Sequence, residues 1–315
     1  MIALEDIQSA RERIRGRVAR TPLASSATLS SRLGTSVYLK LELFQKTGAF
    51  KVRGAFNKAL SIPEDQRRRG IVAVSGGNHA QAVAYVASQL GVRSVILMPE
   101  ATPGNYLEAT RGYGAEVKLV ASSAVAFEQI PVYEAEGWNF IHPFDDPLVM
   151  AGQGTVGLEI LEDMAGVTDV VVSIGGGGFM GGVATAIKSL KPNVRIWGVE
   201  TEGADAMAQA LAAGRPVHLS AITSIARTLG APAVSERTLM LAQRYLESVT
   251  VVSDREAVIA LRFLLERAKV LTEPAASCTL AAAERLRGNF TPSSHVVLIL
   301  CGGNTAVDDL CGYKT

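Results

Sequence analysis

Gly175, Gly176, Gly177 and Gly178 stand in a row after the β-branched run DVVVSI and ahead of a helical stretch, FMGGVATAIKSL. Residues without a Cβ let backbone N–H groups close on an anion, and a helix N-terminus adds partial positive charge. The run predicts a phosphate cradle. Gly176, Gly178 and Gly181 also spell G-x-G-x-x-G, and Glu200 ends the next strand-like run where a dinucleotide-binding protein keeps its ribose acid, so a nicotinamide-dependent oxidoreductase stays open at this point. A second loop, Ser75-Gly76-Gly77-Asn78-His79, follows IVAV and leads into AQAVAYVASQL. Its backbone donors, with the Ser75 hydroxyl and the Asn78 amide, suit a carboxylate. Cys301-Gly302-Gly303-Asn304 is a third turn of this kind, after HVVLIL. Sites for a phosphate and a carboxylate point to an amino acid bound beside a phosphorylated cofactor. The bland alternative is a set of capped strand-to-helix turns.

Such loops need strands that end at them. Short β-branched runs predict strands over 36–42, 71–74, 94–98, 115–120, 169–174, 194–200 and 295–300, alternating with Ala- and Leu-rich segments of helical period. The class is α/β, with parallel sheet covered by helices. All three loops fall at strand C-terminal ends, where open α/β sheets place their ligands. Ser253 with Glu256 predicts a capping box ahead of AVIALRFLLERAKV. Pro63 with EDQRRRG, and HPFDDP at 142–147, read as surface connections. Residues 69–145 then form a small domain inserted in a large one made of 1–68 and 146–315. A chain of 315 residues, 48% hydrophobic, has material for both cores. Lys plus Arg (31) balance Asp plus Glu (30), which leaves no broad positive field for nucleic acid or an anionic membrane. No apolar run reaches the roughly 18 residues of a membrane span. Glu5, Asp6 and Glu12 are unlike a targeting peptide, and Cys278, Cys301 and Cys311 are too scattered for a disulfide framework, so a cytoplasmic location is expected.

The segment KTGAFKVRGAFNKAL resembles the cofactor-lysine motif of the threonine/serine dehydratase and serine racemase family, within fold type II of the pyridoxal-phosphate enzymes. The resemblance extends over Ser75 to His79, His142-Pro143, the AGQGT stretch at 151–155, the glycine row, Thr272-Glu273-Pro274-Ala275 and Cys301 to Asn304. It implies a tryptophan synthase β-like fold of two open doubly wound α/β domains, pyridoxal 5'-phosphate as cofactor, and a homodimer. It also implies that Lys51 forms the Schiff base with the cofactor and later acts as general base, that Phe50 and Asn78 flank the ring and its hydroxyl, and that Gly175 to Gly178 hold the phosphate. Ser75, Gly76, Asn78 and His79 would receive the substrate carboxylate, unless the His79 ring only braces its turn. Cys301 would face the pyridine nitrogen. A thiol is a weak partner there, which leaves that nitrogen largely unprotonated and suits elimination.

The activity so implied is that of an ammonia-lyase (dehydratase) turning L-threonine or L-serine into a 2-oxo acid and ammonia. An amino acid racemase is the near alternative, and a ligand-binding protein without catalysis a more distant one. Related racemases carry a serine where this chain has Gly76, and glycine has no proton to give to the second face of the substrate. In relatives a divalent or monovalent cation takes a glutamate, a carbonyl and often an aspartate. Glu200 and the carbonyl of Ala204 match, Ala206 fills the third place, and the adjacent Asp205 should point elsewhere. The 101–105 stretch lacks the lysine common in relatives, and the chain ends too soon after Cys301 for a regulatory domain. His142 is expected to be a structural contact, while His218, His295, Cys278 and Cys311 belong to no constellation.

Overall fold

Valine, isoleucine and leucine dominate the runs that become strands in the computed structural model, which describes residues 2–313. Among the described residues the strands are β1 (Leu23–Ser25), β2 (Ser36–Leu41), β3 (Ile71–Val74), β4 (Ser94–Pro99), β5 (Glu116–Val120), β6 (Asn139–Phe140), β7 (Asp169–Ser173), β8 (Arg195–Thr201), β9 (Ser248–Val252) and β10 (His295–Leu300). The seven runs expected from sequence are all strands, within a residue at either end. β1, β6 and β9 lie outside those runs. Each is at a sheet edge, two are only two or three residues long, and such strands are made by pairing more than by their own pattern. The Ser253 box forms as expected, with the Ser253 amide donating to Glu256 Oε2 at 2.8 Å.

One sheet runs β1-β2-β10-β7-β8-β9 and is parallel except for β1. The other runs β5-β4-β3-β6, all parallel, and takes every strand from residues 71–140. Strands β3, β7 and β10 are buried almost throughout, as parallel strands covered on both faces must be. Strand order turns back between β7 and β10 in the first sheet and between β3 and β6 in the second. At such a switch point the flanking connections leave to opposite sides and open a crevice at the strand C-terminal ends. The glycine row, Cys301 and the Ser75 loop all sit at these ends. Among the described residues no helix is long and apolar enough to cross a membrane.

The helix Lys51–Ser61 joins the two halves. Val52, Ala55, Phe56 and Ala59 pack into the core of the four-stranded sheet, while Arg53 is buried on another face of the helix. Arg53 Nη1 donates to Glu159 Oε1 at 2.6 Å, and its Nη2 and Nε each donate to one oxygen of Glu42 at 2.8 Å. Lys40 Nζ adds a bond to Glu159 Oε2 at 2.6 Å. Two cations and two carboxylates, all buried, anchor the start of this helix.

Candidate active site

The approach to Lys51 is a tight, strained turn. Thr47 takes a left-handed φ of 65°, unfavourable for a β-branched residue, and Gly48 follows at 72°. The Phe50 amide then donates to the Cys301 carbonyl at 3.1 Å, and the Gly303 amide to the Gly48 carbonyl at 3.0 Å. These bonds lay the chain before Lys51 against the loop after β10. Lys51 opens its helix with its side chain turned into a cavity, where Nζ donates to the Pro143 carbonyl at 2.7 Å. Burial pushes the ammonium down to about 8, against the pull of Cys301 and Glu273. The amine is thus partly neutral near neutral pH, as a base or a nucleophile needs to be.

The cavity encloses about 50 Å³ and opens to solvent. Gly175 to Gly178 form one wall and Cys301 with Ser173 another, and Phe50, Lys51, Asn78, Phe144 and Glu273 also line it. Gly177, at φ 88°, is the cap from which the helix Gly178–Leu190 starts. The unpaired amides of that first turn and the helix dipole make a phosphate seat. Phe144 lies on the row so closely that a Cβ on Gly176 would come within 2.3 Å of its ring, and one on Gly178 within 2.3 Å of its carbonyl oxygen. Phe50 stacks on Phe179 with ring centroids 3.9 Å apart. His142 fixes the segment that carries Pro143 and Phe144, because its Nδ1 accepts the Phe144 and Asp145 amides at 3.2 and 2.8 Å. Burial lowers His142 to about 4, so the ring is the neutral acceptor that these bonds require.

Cys301 is 3% exposed. Its Sγ accepts from the Ser173 hydroxyl at 3.4 Å and faces the Ala275 carbonyl at 3.6 Å. Burial, reinforced by Glu273, pushes the thiol up to about 12. It remains a neutral S–H.

Glu273 is a cavity residue to which the sequence pattern assigns no role. It occupies the N-cap position of the helix Pro274–Arg285, yet its side chain caps nothing there. Oε1 instead accepts from Asn78 Nδ2 at 2.8 Å and Thr228 Oγ1 at 3.1 Å, while Oε2 is buried without a partner. Burial raises Glu273 to about 7, against the Thr228 and Asn78 bonds and the charge of Lys51. Asn78 Oδ1 in turn accepts from Asn304 Nδ2 at 2.8 Å. The buried Tyr106 hydroxyl closes this network by donating to the Asn304 carbonyl.

In the second loop, Ser75 Oγ accepts the Gly77 amide at 3.0 Å, and the helix Asn78–Gln89 begins one residue later. His79 is 2% exposed, and its Nε2–H donates to the Ile141 carbonyl at 2.8 Å. Burial, then the charge of Lys51, lowers it to about 3, which keeps the ring neutral. The Glu200 carboxylate lies apart from the cavity. Its two oxygens accept the Met207 and Ala208 amides at 2.9 and 2.8 Å, at the start of the helix Ala206–Ala213. Burial raises it to about 8 despite these bonds. Among the described residues no three His, Cys, Asp or Glu side chains gather as a metal site.

Residues 14–302 match the family model for pyridoxal-phosphate dependent enzymes. The chain is 41% identical over 310 residues to an L-threonine ammonia-lyase of Thermotoga maritima, covering 98% of this chain and 77% of that protein. Among solved structures, maize serine racemase superposes with a TM-score of 0.93 at 34% identity, over 99% of this chain and 96% of the other. A threonine deaminase from T.th. does so at 0.90 and 39%, over 96% and 99%. A cavity that joins a buried lysine, a glycine cradle and a neutral thiol is therefore found in a chain with those relatives over nearly its full length: it belongs to the family of pyridoxal-phosphate dependent enzymes of fold type II that contains the threonine/serine dehydratases and serine racemases.

Proposed function

We propose that this protein is a pyridoxal-phosphate-dependent ammonia-lyase that converts L-threonine or L-serine to a 2-oxo acid and ammonia. The observation that carries the reading is the placement of Lys51 Nζ, lowered to about 8, in one cavity with the glycine cradle. The cavity fits the cofactor on its own chemistry. The cradle offers amides to a phosphate, Lys51 offers an amine to an aldehyde, and Cys301 offers a neutral S–H to a ring nitrogen. When bound, the cofactor supplies an electron-withdrawing ring that makes the substrate α-proton acidic.

The chain's own residues then have distinct tasks. The Lys51 amine takes the α-proton and becomes an ammonium, and the Pro143 carbonyl is positioned to accept from it. Ser75, Gly76, Asn78 and the first amides of the helix Asn78–Gln89 hold the substrate carboxylate, Asn78 from the cavity wall, while His79, bonded to the Ile141 carbonyl, braces the turn. Glu273, raised to about 7, exchanges a proton within the cavity near neutral pH and keeps Asn78 in place. Cys301 adds no positive charge at the ring nitrogen, and this favours loss of the β-hydroxyl over transamination. The same reading takes 1–68 with 146–315 and 69–145 as two domains, and the working form as a cytoplasmic homodimer. Sedimentation and cell fractionation test the last two. A cation at Glu200 and the Ala204 carbonyl is not included, because Glu200 already caps a helix with both oxygens and Ala206 supplies no ligand.

The test is incubation of purified enzyme with both enantiomers of serine and threonine, with oxo acid and ammonia measured together. Oxo acid and ammonia in equal amounts are expected from the L-substrates. Lys51→Ala should abolish both and remove the yellow, borohydride-bleachable absorbance. Undiminished turnover in that variant would sink the assignment, and D-amino acid accumulating from an L-substrate would favour the racemase. The nicotinamide reading of G-x-G-x-x-G is set aside because Glu200, its ribose acid, is committed to the Met207 and Ala208 amides.

A further inference from the structure

Gly76 lies in the carboxylate loop, and its surroundings explain why it has no side chain. A Cβ built there would lie 2.7 Å from Thr102 Oγ1, 3.5 Å from Pro99 Cδ and 3.7 Å from Thr102 Cβ. The first distance is closer than real Cβ contacts allow. Thr102 comes from the neighbouring loop of the same sheet, in the link between β4 and the helix Gly104–Gly112. Its backbone is held in place, since its amide donates to the Pro99 carbonyl at 2.9 Å and Pro103 follows. The residue is 9% exposed, and its hydroxyl is buried without a hydrogen-bond partner. An unanswered buried hydroxyl is unfavourable, so hydrogen bonding does not account for it. Two of the three staggered positions on a threonine Cβ carry heavy atoms, so only the one rotamer that turns the Cβ hydrogen toward position 76 would relieve the contact.

We propose that Thr102 is a specificity-determining residue that keeps position 76 free of a side chain, and so holds the enzyme to elimination. The inference rests on the function proposed above. Elimination moves protons on one face of the substrate: Lys51 removes the α-proton, and the C–O bond at the β-carbon breaks as the hydroxyl oxygen takes a proton, for which the Lys51 ammonium just formed is a source, and leaves as water. Racemisation instead returns a proton to the same α-carbon from the opposite face, which needs an O–H or similar donor there. Position 76 is where such a donor would stand, and the Thr102 hydroxyl fills the adjoining space. Gly76 and Thr102 are in this sense one coupled pair.

The test uses holoenzyme of the wild type, Gly76→Ser, Thr102→Ala, Thr102→Val, and Gly76→Ser combined with either Thr102→Ala or Thr102→Val. Gly76→Ser alone should melt lower by roughly 2–6 °C, the range for one overpacked side chain in a protein of this size. Adding Thr102→Ala should restore the melting temperature and raise the ratio of D-serine to oxo acid formed from L-serine by about tenfold, as relief of such overpacking allows. Adding Thr102→Val, which keeps the bulk, should raise the melting temperature by no more than Thr102→Val does beside Gly76, where it only removes the unanswered hydroxyl, and should leave the D-serine ratio where it was. Equal stability and equal D-serine formation in Gly76→Ser with and without Thr102→Ala would overturn the proposal, as would rescue by valine. If the serine variants fail to fold, Gly76→Ala with and without Thr102→Ala gives the same comparison of melting temperatures, and absence of rescue counts against the pair. A wild type that forms no oxo acid would remove the proposed function but leave this thermal coupling intact, so the two failures are distinguishable.

Discussion

Lys51 and Arg53 lie two residues apart at the start of one helix, and their surroundings are opposites. Every nitrogen of the Arg53 guanidinium is answered, by Glu42, Glu159, Thr155 and the Ala19 carbonyl. Those carboxylates raise its pKa in spite of burial. Lys51 has one carbonyl as partner, and burial lowers it to about 8. Nearby Glu273 keeps one oxygen without any partner. The Arg53 cluster is matched charge for charge and holds the helix still. The Lys51 cavity leaves donors and acceptors open and titratable, as a group that must exchange protons requires. One helix start thus carries both a fixed anchor and a reactive amine, and the rigidity of the first determines where the second can reach.

This contrast can be broken at either end. The largest effect should come from Arg53→Ala, which leaves the buried Glu42 carboxylate without its cation and Glu159 with Lys40 alone, and should lower unfolding free energy by about 3–5 kcal/mol in denaturant titration. Near-wild-type stability would mean that the cluster is not an anchor. Lys51→Met should do the reverse in cofactor-free protein. The folded pKa of about 8 lies below the ordinary 10.5, so the folded state binds fewer protons, and wild-type stability should rise as pH climbs from about 8 to 10.5. Lys51→Met should remove that rise and be the more stable protein below pH 8.

Glu273→Gln sharpens the comparison from the acid side. The folded pKa of about 7 exceeds the ordinary 4.5, so the folded state holds the extra proton. Its contribution is therefore greatest below about 4.5 and is lost as pH rises toward 7, and the glutamine variant should lack this fall. The pH profiles of cofactor-free wild type and variant, recorded by chemical denaturation, decide it. The smallest effect is expected far from both groups. Ser253→Ala removes a capping hydroxyl and should cost about 1 kcal/mol with turnover unchanged.

The reach of the sequence follows the same division. Strands β3, β7 and β10 are continuous apolar runs because both faces are covered, and they are legible along with the loops at their ends. Lys51 is legible through its motif. Glu273 is legible only as a member of the matched stretch at 272–275, without a role, and it is the fold that turns its carboxylate into the cavity. Phe144, Thr228, Tyr106 and Thr102 come from stretches with no pattern of their own and acquire meaning by meeting distant partners such as Asn304, 198 residues beyond Tyr106.

The contact between Phe144 and the glycine row bears on how sequences of this kind are compared. Gly176 and Gly178 are needed by an aromatic ring and its carbonyl before any phosphate is considered. In a mutational scan both positions would reject alanine even if selection were for folding alone, and shortening Phe144 should relax that intolerance at Gly176 but not at Gly178, which meets the Phe144 backbone. Demand for glycine at these two sites is therefore a record of their neighbour, and the signature of the anion has to be sought in the direction of the amides.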